Sequence, residues 1–181
     1  VATDRRTAGI QIEDESIELR AASRIRELAT LGQVSVTSYN RMVLLTGEVP
    51  GAPERAAVEA AVAKVENVRA VVNEIVVAPN SAFSSRAEDG RLASKVKLTL
   101  VDAKDVQANA FKVTCERRVV YLMSRVTERE ANRGAELASQ VSGVEKVVKV
   151  FEIISEKDLS TPTSNTPAPI SSSTPVATPG K

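Results

Sequence analysis

Hydrophobic and polar positions alternate with period two along Val34–Tyr39 and again along Met42–Val49, with Asn40-Arg41 between them. Such alternation predicts half-buried strands, and a two-residue break between two of them predicts a β-hairpin. The turn is imperfect by composition, because Arg lacks the freedom at positive φ that Gly would supply. Upstream, Ile17, Ala21 and Ile25 recur at i, i+4 and i+8, the apolar stripe of an amphipathic helix. Downstream, an Ala-rich segment with Pro53 near its first turn predicts a second helix. The β-branched run Val68–Val77 then predicts a third strand.

The pattern occurs twice. Val34–Val49 lines up with Phe111–Val126 at an offset of 77, which puts Arg118 at the turn position of Arg41 and makes it an equally poor turn residue, and Val65–Val77 lines up with Val141–Ile153 at an offset of 76. Leu92, Val96 and Leu100 repeat the first stripe at an offset of 75. In the second copy Thr127 and Glu130 form the S/T-x-x-E pattern of a capping box, Gly143 ends the helix, and Val144–Ile154 is the third strand. A duplicated unit resolves one ambiguity. The stretch "KVKLTLV", Lys95–Val101, alternates like a strand, but its match to the first stripe predicts a helix over Arg91–Val101.

The expected fold class is α+β: two tandem αββαβ domains, each a three-stranded mixed sheet with two helices on one face. The boundaries follow as a lead-in or tether at 1–12, a first domain at 13–79, a linker at 80–87, a second domain at 88–155 and a tail at 156–181. From Ser160 onward five of the chain's eight prolines stand among Ser and Thr, the composition of a disordered or polyproline-like tail.

Composition removes whole classes of chemistry. With no His and one Cys among 181 residues, there is no His-based triad, His metal site, CxxC pair or intramolecular disulfide. A net charge of +1 and 3% aromatics argue against a nucleic-acid surface. The acidic residues show no paired-carboxylate spacing. The expectation is a protein with no enzymatic activity, cofactor, metal or small-molecule substrate. Cys115 shares its phase with Phe111 and Val113 and is expected to be a small core hydrophobe, with nearby Arg117 the one support for a reactive thiol. Leu44, Tyr121 and Met123 have the opposite phase. They are expected to cover the sheet faces turned away from the helices, either between the domains or against a partner.

Local charge changes the picture more than net charge does. Gly90–Val101 carries +3, whereas Glu13–Leu28 sets five acids against three arginines for −2. On the second-copy helix Arg91, Lys95 and Leu98 share one face, and Ser94, Lys97 and Val101 another. Short apolar groups flanked by cations suit a membrane interface; the alternative is an ordinary solvated face.

The hairpin "MVLLTGEV", the closing "VRAVVNEI" and the order αββαβ resemble the BON-domain family. The lead-in "VATDRRTAGIQIEDESIELR" and the segment "VYLMSRVTEREANRGAELASQVSGVEKV" are similar to members that carry two such domains on a lipid-anchored chain. Resemblance covers about Val1 to Ile154. It implies a periplasmic protein tethered to the inner leaflet of the outer membrane through a lipidated cysteine upstream of Val1. It also implies binding of anionic, phosphatidylglycerol-like phospholipid through the opening helix of the second domain, here Arg91, Leu92, Lys95, Lys97, Leu98 and Val101. The second expectation of function is a periplasmic scaffold for envelope-assembly or cell-wall-remodelling proteins, with incidental lipid contact. Where the resemblance places a large aromatic at the start of that helix, this chain has Arg91, which favours electrostatic attraction over insertion. Each basic residue near an anionic bilayer contributes ~1 kcal/mol, so three bias which lipids an anchored protein gathers without localising it alone.

Overall fold

The computed structural model describes residues 4–28, 31–158 and 175–177, which form two compact units. The tail expected to be disordered therefore lies outside the described residues, apart from 156–158 and 175–177. The first domain comprises α1 (Ala8–Glu27), β1 (Gln33–Tyr39), β2 (Met42–Val49), α2 (Ala52–Ala63), β3 (Ala70–Asn73) and β4 (Val76–Val77). The second comprises α3 (Phe83–Asp102), a 3-10 turn (Ala108–Ala110), β5 (Lys112–Glu116), β6 (Val119–Val126), α4 (Glu128–Ser139), β7 (Lys146–Ile153) and β8 (Pro175–Ala177). The αββαβ order is present twice. Helix α3 is two turns longer than the stripe indicated and begins inside the stretch read as linker.

Each hairpin is antiparallel, Tyr39 opposite Met42 and Glu116 opposite Val119, and each third strand runs parallel to the second hairpin strand. The turn residues sit at positive φ: Asn40 at 49° and Arg41 at 62°, Arg117 at 51° and Arg118 at 63°. Positive φ at both central residues is the signature of the type I′ turn that matches strand twist. For a non-glycine residue each such conformation costs roughly 1–2 kcal/mol, and both copies offset it in the same way. Asp14 of α1 is buried and accepts from Asn40 N and Arg41 N, both at 2.8 Å, and from Ser38 Oγ at 2.8 Å. Asp89 of α3 is buried likewise and accepts from Arg117 N at 2.9 Å and Arg118 N at 3.0 Å. Hydrogen bonds to a charged acceptor contribute about 1.5–3 kcal/mol each, enough to outweigh the turn's conformational cost.

With the helix start held to the hairpin tip, the stripe lies over the sheet. Ile17, Ala21 and Ile25 pack with Val43, Leu45, Val49, Val58 and Val62 in the first core. Leu92, Val96 and Leu100 pack with Val120, Leu122, Ala135, Ala138 and Phe151 in the second. Phe111 meets Phe151 edge to face, centroids 5.8 Å apart. Helix α4 carries the expected capping box: Glu130 N donates to Thr127 Oγ1 at 3.3 Å, and Thr127 N donates to Glu130 Oε1 at 3.1 Å.

The copies differ where their sequences do. Gly47 has φ 111°, and a Cβ there would stand 2.0 Å from the Gln33 carbonyl oxygen, so the full-length β1 requires glycine opposite it. Its counterpart is Ser124. In that copy the chain before β5 turns aside as the 3-10 turn, and the buried Ser124 hydroxyl donates to the Ala110 carbonyl. The third strand of the first copy breaks into β3 and β4, because Asn73 Oδ1 accepts from Ile75 N at 3.1 Å and turns Ile75 into the core. In the second copy β7 is continuous, and β8 adds antiparallel to its outer edge at Lys146–Val148.

Residues 4–7 belong with the second domain rather than the first. Arg5 donates through Nη1 to Glu130 Oε1 at 2.8 Å and to the Arg125 carbonyl at 2.9 Å, and its Nη2 closes a second bond to Glu130. Burial alone would raise the Glu130 carboxyl, but the Arg5 bonds and charge outweigh it and hold the group below its ordinary value. We predict that Asp89→Ala lowers the stability of the second domain by about 2–3 kcal/mol in urea unfolding. A loss under about 0.5 kcal/mol would show that the turn does not depend on the carboxylate.

Candidate functional site

The residues singled out on α3 divide into two groups. Leu92 is only 7% exposed and belongs to the core cluster, so it is not part of an outward apolar patch. Arg91, Lys95 and Lys97 are exposed, as are Leu98 at 62% and Val101 at 57%. Among the described residues none of the three cationic side chains has an ion-pair or hydrogen-bond partner. Helix α1 differs: Arg20 pairs with Glu13 at 2.7 Å and Glu66 at 3.8 Å, and Arg24 with Glu27 at 3.9 Å. The full length of α3 moderates the charge contrast, since Arg86, Arg91, Lys95 and Lys97 stand against Glu88, Asp89 and Asp102. One of those acids, Asp89, is taken up by the hairpin turn.

Two hollows adjoin the exposed face of α3. One of about 220 Å³ is lined by Glu88, Asp89, Arg91, Leu92, Lys95 and Arg118, with Ser142 and Gly143 closing it. A shallower one of about 510 Å³ lies beside it, between Lys95, Leu98 and Thr99 of α3 and Leu137, Gln140, Val141 and Ser142 at the end of α4. Lys95 and Ser142 line both. The structure thus brings together Arg91, Lys95 and Leu98, the face spaced at i, i+4 and i+7, and leaves Lys97 and Val101 outside the hollows. Gly143, at φ 102°, keeps the floor low: a Cβ there would meet Leu92 Cδ1 at 3.4 Å and Arg118 Nη2 at 3.9 Å. The Arg118 guanidinium therefore reaches over this turn toward α3, held also by a long ion pair to Glu145 at 3.7 Å.

Arg118, Ser142 and Gly143 were not among the residues expected at a site. Arg118 read only as a poor turn residue and Gly143 only as a helix stop. Leu44, Tyr121 and Met123 are buried and belong to neither helix-side cluster, in keeping with their opposite strand phase. In the first domain Ile12 and Leu19 of α1 are exposed on one face, away from the Ile17, Ala21 and Ile25 stripe. No group of metal-ligating residues, and no helix long and apolar enough to cross a membrane, occurs among the described residues.

Comparison with known proteins gives the chain a context. The BON domain model matches residues 14–79 and 88–155. The chain is 38% identical over 157 residues to the outer membrane lipoprotein DolP of Haemophilus influenzae, covering 85% of this chain and 81% of that protein. It is 30% identical over 154 residues to a 21 kDa hemolysin of Actinobacillus pleuropneumoniae, covering 83% and 79%. A solved structure of CdsD, a structural protein of the type III secretion system of Chlamydia trachomatis, aligns over 83% of this chain at a TM-score of 0.33 and 11% identity, too distant to inform the site.

Cys115 packs at the edge of the second core. Burial and then the neighbouring Asp89 carboxylate, which accepts from Sγ at 3.6 Å, push its thiol up to about 12. The Arg117 charge does not offset this, and the opposing contribution is a backbone hydrogen bond from Arg118. At pH 8 the thiolate fraction is about one in ten thousand. We expect a thiol-specific reagent to modify native Cys115 at least a hundredfold more slowly than in the urea-unfolded chain. Equal rates would mean an accessible thiolate.

Proposed function

Because the chain belongs to the BON-domain family, with one domain at residues 14–79 and a second at 88–155, we propose that it is a cell-envelope protein that binds anionic phospholipid through the outward face of α3. The observation that carries this reading is the set of three exposed cations, Arg91, Lys95 and Lys97, unpaired among the described residues, beside exposed Leu98 and Val101. A solvated face on a stable helix normally mixes charges, as α1 does with its arginine–carboxylate pairs. Unpaired cations next to exposed aliphatic groups are arranged instead to meet phosphates while short side chains enter the interface. The named relative in Haemophilus is an outer membrane lipoprotein, which supports a place at the periplasmic face of the outer membrane. A lipid anchor and a basic patch together make the two-signal attachment that stable membrane residence requires.

The scaffold reading has a different basis from the one the sequence suggested. Leu44, Tyr121 and Met123 are buried, whereas Ile12 and Leu19 on α1 form an exposed apolar pair flanking Glu15. A protein partner would meet the first domain there, and the lipid surface the second. The reading is one of binding, with no catalytic step. The combined charge reversal Arg91→Glu, Lys95→Glu and Lys97→Glu is expected to abolish pelleting with phosphatidylglycerol vesicles while circular dichroism is unchanged. Wild-type binding should fall at least tenfold when salt rises from about 50 to about 500 mM, as contacts to phosphate become screened. Vesicle binding that survives both treatments would rule out the lipid reading, and Ile12→Asp with Leu19→Asp should leave it intact.

A further inference from the structure

Three cations from two elements converge on the smaller hollow: Arg91 and Lys95 from α3, and Arg118 from the β5–β6 turn. Arg118 can stand there because Asp89 holds its backbone at positive φ, which aims the side chain over Gly143 rather than along the strand. The hollow also contains carboxylates, but they are not equivalent. Both oxygens of Asp89 accept from the turn, so its charge is spent on Arg117 N and Arg118 N. Glu88 has no partner among the described residues and lies at the exposed rim. Glu145, also exposed, makes the long 3.7 Å pair with Arg118. What remains is a seat of three cations bordered by two exposed acids.

The adjoining hollow has a different chemistry. Leu98, Leu137 and Val141 supply apolar walls, and the bordering polar groups are Thr99, Gln140 and Ser142. A free phosphate would use the first hollow and ignore the second, and a purely apolar ligand would do the reverse. A glycerophospholipid carries both parts, a phosphodiester a few bonds from its acyl chains.

We propose that Arg118 and the Ser142–Gly143 turn, neither of them on the helix, complete with Arg91, Lys95 and Leu98 a two-part groove that seats one glycerophospholipid. The phosphate occupies the hollow of Arg91, Lys95 and Arg118, and the glycerol and first acyl carbons lie over Leu98, Leu137 and Val141. Lys95 and Ser142, common to both hollows, mark the crossing point. This rests on the lipid reading above but differs from it in kind. A basic helix face attracts a bilayer through summed charge, whereas a groove selects a single molecule through placed contacts.

The test compares single charge removals. Arg118→Asn keeps a residue that tolerates positive φ, and Lys97→Gln removes another exposed cation, outside the groove. With phosphatidylglycerol vesicles, Arg118→Asn is expected to weaken binding about fivefold or more, the factor for one lost phosphate contact, and Lys97→Gln by less. Ser142→Asp, which puts a carboxylate at the crossing point, should weaken binding further with the thermal melt unchanged. In titrations followed by NMR, a short-chain phosphatidylglycerol below its micelle concentration should shift the amides of Gly143 and Val141 together. If both single-charge variants lose the same affinity, the groove is overturned and bulk electrostatics suffices. The groove alone is also overturned if Arg118→Asn and Ser142→Asp bind normally while the triple charge reversal does not bind. Saturation of the same amides by inorganic phosphate at equal concentration would overturn the lipid as occupant. Vesicle binding that survives the triple reversal overturns the lipid reading and the groove together.

Discussion

Each domain depends on one carboxylate that reaches from the second turn of its opening helix to the tip of its hairpin. Asp14 and Asp89 occupy the same place in α1 and α3 and accept from the same pair of turn N–H groups. The bond does two things at once. It lets residues other than glycine adopt the I′ turn, and it fixes the helix against the sheet at one end, so that a stripe spaced every fourth residue comes to rest over the hairpin. A charged acceptor suits this role, since two N–H groups share one anion in a site closed to water. Without it, the turn would splay the strands or the helix would lose its register.

That carboxylate was the least legible part of the fold. Elements encoded by local periodicity were legible: the hairpins, the two stripes, the capping box and the duplication were all readable, because period and spacing belong to neighbouring residues. Arg41 and Arg118 were legible as anomalies, poor residues for a turn that the strand spacing nevertheless required. The remedy was invisible because it comes from an acid more than twenty residues upstream, which on a helix looks like any solvated charge. The first two turns of α3 were missed for a related reason. "FSSRAEDG" is mostly polar, and its buried Asp89 is itself a polar residue. The candidate site was half legible. Arg91, Lys95 and Leu98 stood out by spacing, while Arg118, Ser142 and Gly143 join them only through tertiary placement.

The two copies illustrate how a duplicated scaffold separates what must be kept from what can change. The aspartate clamp and the stripe are the same in both. The outer faces are not: Arg20 and Arg24 of α1 pair with Glu13, Glu66 and Glu27, whereas Arg91, Lys95 and Lys97 of α3 have no partner among the described residues. Position 47 and its counterpart 124 show the same freedom inside the fold. A long β1 demands glycine, and a shortened β5 converts that demand into a serine hydroxyl bonded to a carbonyl. Neither change disturbs the core, because both lie at the far end of the sheet from the clamp.

The bidentate contact of Arg5 with Glu130 has a topological consequence. The chain belongs to the second domain at residues 4–7, leaves it for residues 8–82, and returns at 83. In connectivity the first domain is an insertion within the second, even though it comes almost first in sequence. With Arg5 docked, an unfolded first domain is a closed loop rather than a free arm, and unfolding it releases less conformational entropy than the same segment would with one end loose. A single cut within residues 8–82 would leave both fragments tied to the second domain, one by the backbone and the other by an arginine.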